Sequence, residues 1–103
     1  MKLLWTWGGK FFGYREDNSL WTHNGRHVGQ FAEDEVYDPS GNYIGEIMNG
    51  DRLITCLSKK SWRSGSFVPY MKRVGIVPYV DYVGYVMYAG YEDFPSPEKI
   101  KKS

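Results

Sequence analysis

Gly9-Lys-Phe-Phe-Gly13, Gly25-Arg-His-Val-Gly29 and Gly41-Asn-Tyr-Ile-Gly45 are one phrase written three times, sixteen residues apart. A repeat of that period decides the architecture before any single residue does. Working outward keeps the copies in step: Trp5, Trp21, Tyr37 and Leu53 precede the phrase, and Arg15, Phe31 and Ile47 follow it. Each copy opens on a pair with glycine second, Gly8-Gly9, Asn24-Gly25 or Ser40-Gly41. Such pairs predict two-residue hairpin turns, of type I′ for Asn-Gly and Gly-Gly, in which both central residues take positive φ. Counting outward then sets Trp5 opposite Phe12, Trp21 opposite Val28 and Tyr37 opposite Ile44, one large apolar cross-strand pair in every copy.

Midway between these turns lie Asp17-Asn18, Glu33-Asp34 and Asn49-Gly50, again turn-forming pairs. Counting back from them sets Tyr14 opposite Trp21, Gln30 opposite Tyr37 and Glu46 opposite Leu53, which keeps the same residues on the same face. A turn about every eight residues with one consistent face predicts an all-β, antiparallel up-and-down meander. No stretch carries a sustained helical period. Gly13, Gly29 and Gly45 fall inside strands, where a repeated glycine marks a bulge, a bend or a close approach. The bend that lets equivalent hairpins splay around an axis is the expected role.

After Leu53 the period breaks. Thr55 to Ser66 is polar and rich in glycine and serine, and reads as a long loop with Trp62 its one aromatic residue. The pattern returns in Val77-Pro-Tyr-Val-Asp-Tyr-Val-Gly-Tyr-Val86, which lies over Asp38–Ile47 and predicts a fourth copy near residues 74–91; Val68–Ile76 resembles the same phrase, so where that copy starts stays open. Tyr79, Tyr82, Tyr85, Tyr88 and Tyr91 fall every third residue, which in a strand alternates faces and cannot build one ladder. The expected organisation is a single domain over 1–94, with copies near 4–19, 20–35, 36–54 and 74–91, an insert over 55–73, and a flexible proline- and lysine-rich tail over 95–103.

With 42% hydrophobic and 17% aromatic residues in 103, the chain is expected to pack as one domain. A net charge of +1 supplies no long-range field for polyanions, so no nucleic-acid partner is expected. The lone Cys56 excludes an internal disulfide and fits a reducing cytoplasm. The apolar start Met1-Lys-Leu-Leu-Trp5 is too short for a signal-peptide core, and no apolar run reaches the length of a membrane span, so no membrane partner is expected.

No residue set announces catalysis. His23 and His27 share a hairpin but point to opposite faces in the counted register, against joint metal binding. Cys56 lacks an orienting third group and an oxyanion hole. The acidic run Glu33-Asp34-Glu35 is a solvated turn, and no helix follows Gly8, Gly9 and Gly13 to make a phosphate loop. No catalytic residue, metal ligand or cofactor is therefore expected. The aromatic surplus, Trp7, Trp62, Tyr79 and Tyr85, is either core or a stacking platform for sugars or unpaired bases. Lys59, Lys60, Arg63, Lys72 and Arg73 flank Trp62 and Tyr70, so an anionic ligand is looked for in this insert. The candidate ligand-binding residues are Trp62, Arg63, Tyr70 and Tyr79.

The glycine-framed hairpins with aromatic partners, the irregular segment after the third and the Trp near its middle resemble the four-fold beta flower domain of uncharacterised bacterial proteins. The resemblance runs from about Leu4 to Tyr88, through Gly9–Gly13, Gly25–Gly29, Gly41–Gly45 and Val80–Gly84. It implies four petal-like hairpins about a pseudo-four-fold axis, flower or small-barrel-like, and brings no known catalytic residues. Val80 stands where the other copies have glycine. Asp38–Ile47 is also similar to a strand-turn phrase of PRC-barrel domains, and the glycine-aromatic hairpins to MORN repeats. The expected function is a non-catalytic binding or assembly module with a protein or glycan ligand carried on the insert. A small enzyme with a cleft at the pseudo-axis and a structural homo-oligomer subunit are the alternatives.

Overall fold

Eight strands follow one another in the computed structural model, which describes residues 1–100: β1 Lys2–Thr6, β2 Phe11–Glu16, β3 Ser19–Thr22, β4 His27–Ala32, β5 Glu35–Tyr37, β6 Tyr43–Met48, β7 Arg52–Cys56 and β8 Tyr91–Asp93. Each pairs antiparallel with the next in sequence. The first seven close on themselves through Trp5↔Arg52 and Thr6↔Leu53. That closure is parallel because an odd number of alternating strands leaves the first and last pointing the same way. Closure removes the open sheet edges that invite unwanted pairing. The free edge of β7 is divided: Arg52 and Leu53 face β1, while Ile54, Thr55 and Cys56 face β8.

The interior is filled by residues at the repeat spacing. Leu4, Leu20 and Val36 form one series, Phe12, Val28 and the half-buried Ile44 another, and Phe31, Leu53, Phe94 and Ile100 complete the cluster. Complete burial of one such side chain contributes about 1.5–3 kcal/mol, so this ring is the largest stabilising feature of the fold.

The expected inner register is corrected by one residue. Trp5 pairs with Phe11, Trp21 with His27 and Tyr37 with Tyr43, each after a bulge. The turn chemistry is the cause. Only the second glycine has positive φ, at 95° for Gly9 and 88° for Gly25 and Gly41, so the turns are not type I′. The N–H groups of these glycines donate to the carbonyls of Thr6, Thr22 and Asp38 at 2.9, 3.0 and 2.8 Å. This is a three-residue loop ending in a left-handed glycine. The side chains of Thr6, Thr22 and Asp38 then accept from the N–H groups of Lys10, Arg26 and Asn42 at 3.2, 3.2 and 2.9 Å. The extra residue leaves Phe12, Val28 and Ile44 without opposite numbers and turns them toward the core.

The outer turns hold the expected register twice, with Tyr14↔Trp21 and Gln30↔Tyr37. The third differs: Glu46 pairs with Ile54, not Leu53. Here Asn49 (φ 54°) and Gly50 (φ 84°) are both left-handed, and Asp51 is added to the loop. The one-residue slip moves Leu53 into the interior series and Arg52 to the outside. Gly45 proves to be a point of close approach, where a Cβ would lie 2.5 Å from the Phe94 ring and 2.7 Å from the Ile54 carbonyl oxygen.

The fourth hairpin is β7–β8, and not the stretch 74–91. No strand occurs between Cys56 and Tyr91; Val77–Val86 belongs to a long connection wrapped around the barrel. The tail is corrected as well over the described residues. Phe94 packs 5.2 Å from the Phe12 ring, Pro97–Lys99 forms a 3-10 turn, and the Arg26 guanidinium donates to the Pro97 and Ile100 carbonyls at 3.1 Å each. Residues 101–103 of the expected tail lie outside the described residues.

Candidate functional site

The connection from Arg63 to Tyr88 is a belt with a repeat of its own. The N–H groups of Ser64, Arg73 and Tyr82 donate to the carbonyls of Gly41, Gly25 and Gly9 at 2.8, 2.8 and 2.7 Å. Those of Phe67, Ile76 and Tyr85 donate to Pro39, His23 and Trp7 at 3.0, 2.8 and 3.0 Å. Nine residues of belt therefore match sixteen of barrel, and the belt visits the hairpin tips in reverse order, third, second, first. Its bonding amides keep a period of three, two to each nine-residue unit, with Tyr70 between two such pairs donating to the His27 ring. That is the period of an extended polyproline-type helix, with three residues per turn and a rise of about 3.1 Å per residue. Pro69 and Pro78, one repeat apart, pre-set φ without removing a bonding N–H.

A three-residue period gives the belt three faces. The first lies on the barrel and corrects the reading of the tyrosines: Tyr79, Tyr82, Tyr85 and Tyr88 do line one side. Tyr82 stacks on Trp5 at 4.0 Å, Tyr85 and Tyr88 lean on Trp7 at 4.8 and 5.3 Å, and Tyr79 meets Phe11 at 5.4 Å. The indole N–H groups of Trp5 and Trp7 donate to the Val80 and Val86 carbonyls, both at 3.0 Å. Buried Arg52 donates to the Trp7 and Val83 carbonyls at 3.2 and 3.1 Å and lies 4.2 Å from the Tyr85 ring. In the same phase, Arg73 sits 3.8 Å over Trp21 and Tyr70 stacks on His27 at 4.9 Å.

The second face packs against the hairpin tips. Asp81 accepts the Phe11 N–H at 2.8 Å, and a Cβ on Gly84 would come 2.7 Å from the Gly8 carbonyl oxygen. The third face looks away from both. It carries Val68, Met71, Val74, Val77, Val80, Val83 and Val86, each between 84% and 92% exposed. At about 9 Å per turn, these side chains form a regular apolar stripe along the belt.

The expected ligand-binding residues are strung along the belt and not gathered in one place. Trp62 meets Tyr43 at 6.2 Å with the Lys59 ammonium 4.8 Å from its ring. Arg63 donates to the Lys60 and Trp62 carbonyls at 3.1 and 2.9 Å. These two lie by the third hairpin, Tyr70 by the second and Tyr79 by the first. The cations expected to attract an anion are largely engaged: Lys59 pairs with Glu46 at 2.9 Å and Glu35 at 3.2 Å, Arg73 with Glu16 at 2.9 Å, and Lys60 with Glu92.

His27 is buried and has both ring nitrogens committed. Nε2–H donates to the Gly29 carbonyl at 3.0 Å, and Nδ1 accepts the Tyr70 N–H at 2.9 Å. Burial, with a smaller opposing effect of the Gly29 bond and a further lowering by the Arg73 cation, holds its pKa below the ordinary value. The neutral ring is thus a clasp between barrel and belt.

A polar cluster at the start of the belt had no signature in the sequence. The Tyr43 hydroxyl donates to Glu46 at 2.8 Å and accepts the Cys56 N–H at 3.0 Å. Burial and the Glu46 carboxylate push that hydroxyl above the ordinary range. Hydrogen bonds from Ser58 and then Tyr91 lower the Cys56 thiol, against the effect of burial. Glu46 replaces Tyr14 and Gln30 of the other copies, and only the register of β6 reveals that it meets Lys59. The cluster's partners are one another, so it fastens the turn Leu57–Lys59, just before the belt, to the third hairpin.

A groove of about 630 Å³ lies beside it, lined among others by Tyr43, Thr55, Lys60, Asp93, Phe94 and Lys99. Its Asp93 is committed to the N–H groups of Phe94 at 2.8 Å and Gly8 at 3.2 Å. Among the described residues, no group of three or more histidine, cysteine or acidic side chains is placed to hold a metal ion, and no helix is long and apolar enough to cross a membrane.

A barrel of antiparallel hairpin petals closed by one parallel pair, with an extended belt across their tips, defines the class. Residues 2–75 match the 4-fold beta flower protein family, and the chain belongs to it. No curated protein and no solved structure matches the chain.

Proposed function

We propose that this chain is a non-catalytic assembly module, in which the barrel is the scaffold and the belt presents an apolar stripe to another protein. The stripe is the observation that carries the reading. Seven apolar side chains at one regular spacing, nearly fully exposed, make a row that follows the belt around the barrel, and exposed apolar surface of that extent marks an interaction site. The polar groups near the groove and at the start of the belt are engaged with one another, which favours binding over catalysis.

The test is the variant Val77→Ser/Val83→Ser, studied at sub-micromolar protein so that weak association is dissolved. Its unfolding free energy from urea titration is expected to stay within about 0.5 kcal/mol of wild type, as for surface positions away from packing, while enhancement of 8-anilinonaphthalene sulfonate fluorescence falls. A large drop in stability would make the stripe part of the fold and end the interface reading; unchanged dye binding would do the same.

A further inference from the structure

We propose that the partner covering the stripe is a second copy of this chain, docked belt to belt with the two belts antiparallel about a two-fold axis near Ile76 and Val77. The proposal rests on the reading of the stripe as an interface.

Three observations point to a second copy. The first is area. Covering one side chain of this size removes roughly 60–120 Å² at about 25 cal/mol per Å². Seven of them come to roughly 400–850 Å², the upper end of which reaches the roughly 800 Å² per partner of a standard stable interface. The second is spacing. Knobs about 9 Å apart leave slots about one side chain wide, and the surface known to have knobs at that interval is the same stripe. Antiparallel docking makes the contact self-complementary, as a two-fold interface requires.

The third observation is charge. The stripe itself carries none, and Lys59, Lys60 and Arg73 are spent on acidic partners, which leaves little to draw an anionic surface. Lys72 has no ion-pair partner among the described residues, and Asp81 is engaged only by the Phe11 N–H. The two hold the same place in successive nine-residue repeats. Both stand on the face next to the stripe, and centred on Ile76 and Val77 antiparallel belts set Lys72 of each copy level with Asp81 of the other. A parallel arrangement would set like charge against like.

Sedimentation velocity and light scattering over a range of concentrations test this. The wild-type chain is expected to run as a dimer at high concentration. Val77→Asp, which places a charge in the apolar seam, is expected to weaken the dimer more than about 100-fold without changing the urea midpoint of the monomer. Lys72→Glu should weaken it about five- to tenfold at low salt. Adding Asp81→Asn, which keeps the acceptor for Phe11, should recover part of that loss. A wild type that stays monomeric at every concentration while still binding the dye overturns the second-copy proposal and leaves the interface reading standing. A dimer indifferent to Val77→Asp also overturns it. Flotation with neutral phosphatidylcholine vesicles that is lost in Val77→Asp would overturn it by placing a bilayer on the stripe.

Discussion

Barrel and belt are both repeats, and they differ in where their backbone hydrogen bonds go. The sixteen-residue barrel unit closes its own ladder, because each strand is paired on both sides. Its apolar residues can therefore turn inward around Leu4, Leu20, Val36 and Leu53. The nine-residue belt unit has no ladder of its own. It borrows carbonyls from the hairpin tips with two amides in each nine-residue unit, lends carbonyls of its own to Trp5, Trp7 and Arg52, and leaves one whole apolar face in water. A self-paired repeat builds a core, whereas a repeat that leans on another builds a surface.

The contrast predicts that damage to the two layers will look different. Leu20→Ala removes a fully buried member of the barrel interior and is expected to cost about 2–5 kcal/mol. Urea unfolding followed by fluorescence and by far-UV circular dichroism should show one shared, earlier transition, since the belt cannot persist without the tips that hold it. Separate transitions would show that the belt stands alone.

Arg52→Gln strikes the contact between layers. It gives up the guanidinium bonds to Trp7 and Val83 and the packing on Tyr85, and is expected to cost about 2 kcal/mol. Hydrogen exchange should quicken at the Tyr82 and Tyr85 amides far more than at Arg73 and Ile76. Uniform acceleration would mean that barrel and belt open as one unit.

The smallest effect concerns His27. Its folded pKa is lowered from 6.5, so the folded state prefers the neutral ring. Stability from the clasp is intact above the unfolded value of about 6.5 and is lost as pH falls from there toward the lower folded value. Protonating Nδ1 ends its bond from the Tyr70 N–H, with Arg73 nearby opposing the charge. Thermal unfolding at pH 7.5 and 5.5 should show a decline in the wild type that is reduced in His27→Gln. An equal decline in both would place the pH sensitivity elsewhere.

Much of the barrel was legible because its period is long and its alternatives are few. Two outer registers, Tyr14↔Trp21 and Gln30↔Tyr37, follow directly from turn pairs whose loop length leaves one solution. The inner registers did not, since Gly8-Gly9 suits both a two-residue and a three-residue turn, and Thr6 and its counterparts favour the latter by capping it. The slip at Glu46↔Ile54 arose from Asp51 joining the third outer loop. The belt's faces were in view as tyrosines every third residue, yet a strand period of two scattered them. Trp62, Arg63, Tyr70 and Tyr79, the expected ligand-binding residues, carry no sign in the sequence of how far apart they lie; the belt takes them past three different hairpins.

The sequence by itself determined the sixteen-residue hairpin repeat and its apolar series, because turn residues and alternation act over a few bonds. Only the tertiary structure decided that Val77–Val86 is belt and that Tyr91–Asp93 completes the fourth hairpin. A segment with apolar residues every third position can bury any of its three faces. Which one goes in depends on the carbonyls and indoles it meets, and those belong to residues far away along the chain.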